Sequence, residues 1–226
     1  MSHIDIDPNE LVGREGYFLL TALVVPRPIA WVSSLSSDGV RNVAPHSYFN
    51  AISSKPLVLH FTSTGEKDTL RNVRATGEFV INIVSAAVAE DMNLTAADFP
   101  PEVDEFAWAN LGRAPSKTVA PPRVERAAAA FECGVNRIVT IGNGNMVFGD
   151  VRNIVIEESV MRDGRVAPGS PRPDRQAGRI LVHPRRRRPL RDEAPDLGWP
   201  DGGRGRGLTA SSLRLRAGPL TDRVAA

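Results

Sequence analysis

The chain has 226 residues, of which 42% are hydrophobic, enough to bury the core of one sizeable domain, and no apolar run reaches the roughly 18 residues that crossing a membrane requires. Its formal net charge is only +2, yet the pI is about 9.0 and arginines crowd the chain after Gly169, so positive charge is unevenly placed. A single cysteine, Cys133, excludes an intrachain disulfide and the usual zinc clusters, and the polar, acidic residues 1–10 lack the basic-then-apolar order of a signal peptide, so a cytoplasmic protein is expected.

Residues 1–14 are expected to form an N-terminal extension. From Tyr17 the chain reads as short β segments, over residues 18–25, 28–35 and 40–45, with Ser36-Ser37-Asp38-Gly39 as a turn between the last two. Residues 57–61 and 79–84 are two further strand-like runs. Between them, residues 67–75 carry Leu70 and Val73 at helical spacing, with Gly77 as a stop. Residues 86–94 read as another short helix. Residues 97–122 are rich in proline and acidic residues and read as an excursion packed by Phe99, Phe106 and Trp108, serving as a lid or a partner contact. Residues 128–141 and 146–156 return to strand patterns around the turn Gly142-Asn143-Gly144-Asn145. Many strands and few helices predict a mainly β chain forming a closed or partly closed barrel. No internal repeat is present.

Two segments hold residue types that could bind a ligand. Thr62, Ser63, Thr64, Gly65, Glu66, Lys67, Asp68 and Thr69 lie between a strand end and a helix start, where hydroxyls, free amides and a lysine charge favour a phosphate. A polar loop capped by Asp68 or Thr69 accounts for the same residues. His46, Ser47, Tyr48, Phe49 and Asn50 set polar and aromatic groups side by side after a strand, as a planar heteroaromatic ligand requires; a strand with alternating faces is the plainer alternative. Arg27, held between Pro26 and Pro28, could face a phosphate or the electron-rich edge of a reduced ring, although surface arginines are commoner. Gly142, Gly144 and Gly149 read as a strand turn, not a dinucleotide loop, because no helix pattern follows. Cys133 reads as core. His46, His60 and His183 are too scattered to form a metal site, and none is expected.

In order along the chain, Arg27-Pro28-Ile29-Ala30-Trp31-Val32-Ser33, Asn42-Val43-Ala44-Pro45-His46-Ser47-Tyr48-Phe49-Asn50-Ala51, Lys67-Asp68-Thr69 and Ala75-Thr76-Gly77-Glu78-Phe79-Val80-Ile81-Asn82 resemble the flavin reductase-like family with its FMN-binding split barrel. Weaker likeness continues to Gly149-Asp150-Val151, so that residues 15–166 form the expected domain. The resemblance implies a mainly β fold, a split barrel of Greek-key type with a few flanking helices. It implies that Ser47, Tyr48, Phe49 and Asn50 line the flavin, with His46 in the same segment. Thr62, Ser63, Thr64, Lys67, Asp68 and Thr69 would then hold the ribityl phosphate, with Arg27 and Asn82 nearby. It implies FMN as cofactor, NADH or NADPH as electron donor, and a homodimer with the flavin near the subunit interface. A monooxygenase or another acceptor would take the electrons. No acid or base is obligatory, because hydride passes from nicotinamide to flavin N5, and no catalytic side chain is assigned.

Residues 167–226 are dominated by Arg, Pro, Gly and Asp, with no period of 2 or 3.6, and are expected to be disordered or the product of a frameshift. Reading the possible codons of residues 173–184 one nucleotide later allows PIGRLAGSSYT, and residues 190–198 allow FEMKRPTW, both like the family's usual ending. The shift would begin between residues 164 and 173. Three functions are thus in view: an NAD(P)H-dependent flavin reductase or related FMN oxidoreductase, a non-catalytic FMN electron carrier, and a basic interaction protein acting through Arg185 to Arg188. The last is least favoured, since no aromatic residues interleave the arginines and no specific nucleic-acid partner is expected.

Overall fold

The computed structural model describes residues 3–166; the tail, its arginine run and the proposed frameshift lie outside the described residues, apart from the first few positions at which the shift could begin. Seven strands form one antiparallel sheet: β1 (Ala30–Leu35), β2 (Arg41–His46), β3 (Phe49–Ser54), β4 (Leu57–Thr64), β5 (Glu78–Ile83), β8 (Ala129–Ile141) and β9 (Gly144–Ile156). Two-residue strands β6 (Arg113–Ala114) and β7 (Arg123–Val124) pair separately, as do β10 (Met161–Arg162) and β11 (Arg165–Val166). The order across the large sheet is β2-β1-β5-β8-β9-β4-β3. Its two edge strands, β2 and β3, are consecutive in the chain and joined only by Ser47 and Tyr48. The sheet therefore curls back on itself. Thr62 N–H of β4 donates to Tyr48 O at 2.8 Å, and the His46 and Phe61 rings lie 4.7 Å apart between β2 and β4. This is the mainly β barrel that the strand pattern predicted and the split barrel that the resemblance implied.

The turns form where the sequence placed them. Gly39 takes φ +83 in the β1–β2 turn, where Gly39 N–H donates to Ser36 O at 3.0 Å, and Gly142 at φ +57 lets the β8–β9 hairpin turn in two residues. Strand β1 is buried on both faces, Ser33 and Ser34 included. Ala30 and Val32 enter one core with Phe61, Phe79, Ile81 and Val147, while Ile29 and Trp31 enter a second with Val43, Met92 and Phe106. Helix α2 (Asp68–Thr76) closes the first core by inserting Leu70 and Val73, three residues apart on one face, and ends at Gly77, whose φ of +71 provides the left-handed cap.

Two elements differ from the sequence reading. Strand β3 (Phe49–Ser54) was not expected as a strand of its own. Residues 18–25, read as a strand, belong mostly to a helix, α1 (Glu15–Leu23), whose end is followed by a Val25–Pro26 cis peptide bond. An apolar run of this length, broken only by Thr21, has no period to separate helix from strand. Residues 86–94 form a short 3-10 turn and then α3 (Ala89–Leu94), and the excursion contains α4 (Glu105–Trp108). No helix among the described residues is long and apolar enough to cross a membrane.

Candidate functional site

The sheet's return at Ser47 and Tyr48 places the end of β2 against the start of α2, and a cavity of about 490 Å³ opens between them. Strand β2 and its turn supply Asn42, Ala44, His46, Ser47 and Tyr48. The last turn of β4 and the start of α2 supply Thr62, Thr64, Lys67, Asp68, Thr69 and Arg71. The far wall is formed by Tyr17 of α1 and by the excursion, through Thr95 to Phe99, Pro101 and Glu105. That volume lies within the roughly 300–1,000 Å³ of small-molecule sites.

The α2 end of the cavity gathers charges of both signs, Lys67 and Arg71 beside Glu66, Asp68 and Asp98. Lys67 occupies the N-cap position with extended backbone, φ −121 and ψ 167, and no side chain caps the helix. The first-turn N–H groups therefore keep their donor capacity beside the Lys67 charge, the arrangement that suits an anion. Arg71 also lines the cavity and is paired with Asp68 one turn earlier. Lys67 Nζ meets Asp98 Oδ1 at 2.8 Å across the cavity.

At the other end, His46 is 7% exposed and its Nε2 is buried with no hydrogen-bond partner. Burial lowers its pKa from 6.5 to about 4; the Thr62 backbone opposes this and the Lys67 charge adds to it. The imidazole is neutral at pH 7. Beneath the cavity floor runs a buried polar network. Asn42 Oδ1 accepts from Thr69 Oγ1 at 2.9 Å and from Ser34 Oγ at 3.2 Å, while Asn42 Nδ2 donates to Glu105 Oε1 at 2.7 Å. Glu105 also accepts from Val43 N–H at 3.3 Å, and burial holds its pKa above the ordinary carboxylate value against the pull of these bonds. Arg41 pairs with Asp104 at 2.6 Å beside it.

Of the residues singled out from sequence, His46, Ser47, Tyr48, Thr62, Thr64, Lys67, Asp68 and Thr69 converge on this one cavity. The other five do not line it. Arg27 is buried and donates from Nη1 to Thr21 O at 2.6 Å and Val24 O at 2.7 Å, closing the end of α1. Phe49 packs on the barrel core, and Asn50 is exposed, its Oδ1 accepting from Ala51 N–H at 2.8 Å. Ser63 is fully buried and donates to Gly65 O at 3.1 Å. Asn82 is fully buried too; its Nδ2 donates to Trp31 O at 2.9 Å and its Oδ1 accepts from Val124 N–H at 2.8 Å, which ties β7 to β5 and β1. The sequence reading gave no site role to Tyr17, Thr95, Ala96 or Glu105, although it read residues 97–122, with Phe99, as a lid or a partner contact. Glu105 meets Asn42 across 62 intervening residues, since the two are 63 apart, and no local pattern signals such a pair. Tyr17 was hidden by the misreading of α1.

Residues 22–187 match the family described as flavin reductase like domain. A protein of Aquifex aeolicus (strain VF5) is 42% identical over 158 residues, covering 68% of this chain and 81% of its own. Among solved structures, nitrilotriacetate monooxygenase component B from Bacillus cereus is similar with a TM-score of 0.72 at 32% identity, over 74% of this chain and 88% of its own. The Pseudomonas fluorescens 2-nitrobenzoate 2-nitroreductase is similar with a TM-score of 0.69 at 30% identity, over 86% of this chain and 100% of its own. An FMN-binding protein from Thermus thermophilus shares the fold, with a TM-score of 0.61 at 19% identity over 75% of this chain and 88% of its own.

Proposed function

The chain belongs to the flavin reductase like domain family, and on that premise we propose that it is an oxidoreductase that binds FMN in the β2–α2 cavity and reduces it with NADH or NADPH. One observation carries the reading. A single cavity joins an uncapped helix N-terminus with a lysine at one end to a turn of hydroxyl, aromatic and orphaned imidazole groups at the other. A phosphorylated, polyhydroxylated aromatic ligand has the matching chemistry, and the residues present fit FMN. Bound FMN would supply an acceptor for two electrons as hydride.

In this reading Lys67, Arg71 and the α2 amides neutralise the phosphate, and the Thr62 and Thr64 hydroxyls bond to it or to the ribityl chain. His46, neutral and with its Nε2 unpartnered, offers one more hydrogen bond to the ligand. Ser47 and Tyr48 fix and cover the ring. The protein's work is positioning and exclusion of water, so no side chain is assigned a proton-transfer role. A homodimer and a monooxygenase or other acceptor of the reduced flavin belong to the same proposal; the Bacillus cereus relative is itself named as one component of a monooxygenase.

Titration of the purified chain with FMN, followed by quenching of flavin fluorescence, tests the binding. Saturation at micromolar FMN, weakened about tenfold or more in Lys67→Gln, is the expected result, since hydrogen bonds to charged groups contribute about 1.5–3 kcal/mol. Absence of quenching by folded protein would overturn the reading. Oxidation of NADH or NADPH in the presence of FMN then separates a reductase from a protein that only carries electrons.

A further inference from the structure

Residues 95–104 form a strap along one wall of the cavity, tied at both ends. At its start Thr95 is buried; its Oγ1 accepts from Trp31 Nε1 at 2.9 Å and donates to Met92 O at 2.9 Å. At its far end Asp104 holds Arg41 at 2.6 Å, and the next residue, Glu105, accepts from Asn42. Between these anchors, among the described residues, one hydrogen-bonded ion pair reaches another element: Lys67 Nζ to Asp98 Oδ1, at 2.8 Å. Phe99, next in the strap, rests its ring 4.7 Å from that of Trp108.

The pair is wet. The Lys67 side chain is 50% exposed and that of Asp98 is 89% exposed, so water solvates the charges well when they separate and the pair is easily exchanged. Lys67 is also the N-cap of α2, where the helix offers uncapped amides to an anion. The Asp98 carboxylate thus sits on the cation that a ligand's phosphate would use, and the two cannot both claim it at full strength.

Resting on the flavin reading, we propose that Asp98 is a specificity-determining residue: an internal anion that the ligand's phosphate must displace from Lys67. The exchange weakens binding of phosphorylated flavin relative to a site without Asp98, leaves unphosphorylated flavin untouched, and keeps FMN exchangeable as a diffusing substrate. Displacement also frees the strap from this latch between the anchors, so that entry of the phosphate and loosening of this wall are one event.

The test is the pair of dissociation constants for FMN and riboflavin, read by flavin fluorescence quenching in the full chain and in Asp98→Asn, at low and at high salt. Asp98→Asn should tighten FMN about two- to fivefold at low ionic strength and leave riboflavin unchanged, with the gain shrinking at about 1 M salt. In a Lys67→Gln background the same substitution should have no effect, because the competition has lost its object. An unchanged ratio of the two affinities, or equal tightening of both flavins, overturns the proposal while leaving the flavin site standing. If neither flavin binds folded protein, the flavin reading itself falls. Inorganic phosphate, followed by broadening of its ³¹P signal, then decides the competition: tighter binding in Asp98→Asn supports it and equal binding overturns it.

Discussion

At His46, burial sets the sign of a pH dependence. The folded chain keeps this imidazole neutral down to about pH 4, whereas an unfolded chain protonates it from about pH 6.5. The unfolded state therefore binds the extra proton, and stability falls as pH drops through that window, then stays level with respect to His46 below it. The full loss is about 3 kcal/mol at about 1.4 kcal/mol per unit. Urea midpoints measured between pH 4 and 7 should show a shallower decline for His46→Gln than for the parent. Parallel profiles would mean that the side chain is solvated after all. Glu105 acts with the opposite sign, because its raised pKa lets the folded chain hold a proton longer as pH rises, and comparing parent with variant cancels it. The same two residues mark what was legible at this scale. His46 to Asn50 stood out because polar and aromatic groups cluster there in sequence; the carboxylate of Glu105 owes its role to a partner 63 positions away. Arg27 and Asn82 were visible as unusual residues, yet Arg27 bonds to Thr21 O and Val24 O at the end of α1 and Asn82 to Trp31 O, Val124 N–H and Ser33 Oγ within the fold.

Strands β5, β8 and β9 meet where no side chain can be added. A Cβ on Gly149 would come within 2.3 Å of Phe79 Cζ and 3.1 Å of Cys133 Cβ, and Phe79 is fully buried against Phe61, with ring centroids 5.3 Å apart. The Phe79 ring has no free direction in which to move. Gly149→Ala should therefore destabilise the chain by about 2–3 kcal/mol, as overpacking of a filled core does, and chemical denaturation would show it as a lower midpoint with an unchanged slope. A shift under about 0.5 kcal/mol would contradict the packing. In the sequence Gly149 stood out as part of a glycine turn and of the weaker family likeness, not as a packing position, since a close approach between strands far apart in the chain has no local signature. Elements with local rules were read correctly: α2 from Leu70, Val73 and Gly77, and the β1–β2 and β8–β9 hairpins from Asp38-Gly39 and Gly142-Asn143, whereas the β3–β4 hairpin at Lys55-Pro56 was not read. Helix α1 was misread because Tyr17 to Val25 has neither period nor cap, and its faces are set by tertiary position. Its N-cap, Arg14, makes no capping bond.

At the scale of the molecule two proposals meet. Residues read in a wrong frame carry none of a family's pattern, yet the family match runs to residue 187, beyond the window of residues 164–173 in which a frameshift would begin. The encoding DNA decides between them: a single-nucleotide change that restores the family's ending upholds the frameshift, and its absence ends the idea. The second proposal is the homodimer. Helix α1 and the residues after it present Phe18, Leu20, Leu23, Val24 and Val25 at 40–71% exposure, and β3, β4 and β9 present Ile52, Leu57 and Ile154 at 41–49%. Ile52, Leu57 and Ile154 also line a groove of about 320 Å³. Apolar surface gathered in this way marks an interaction site more often than a solvated face. Tyr17 of the same helix lines the candidate cavity, so a partner covering α1 would also bound the site and shield it from water. Sedimentation should give a dimer for the parent, and Leu20→Asp with Leu23→Asp should shift it to monomer with weaker FMN binding. If the double variant stays dimeric, α1 is not the contact. If it becomes monomeric and binds FMN as the parent does, the dimer exists but does not complete the site.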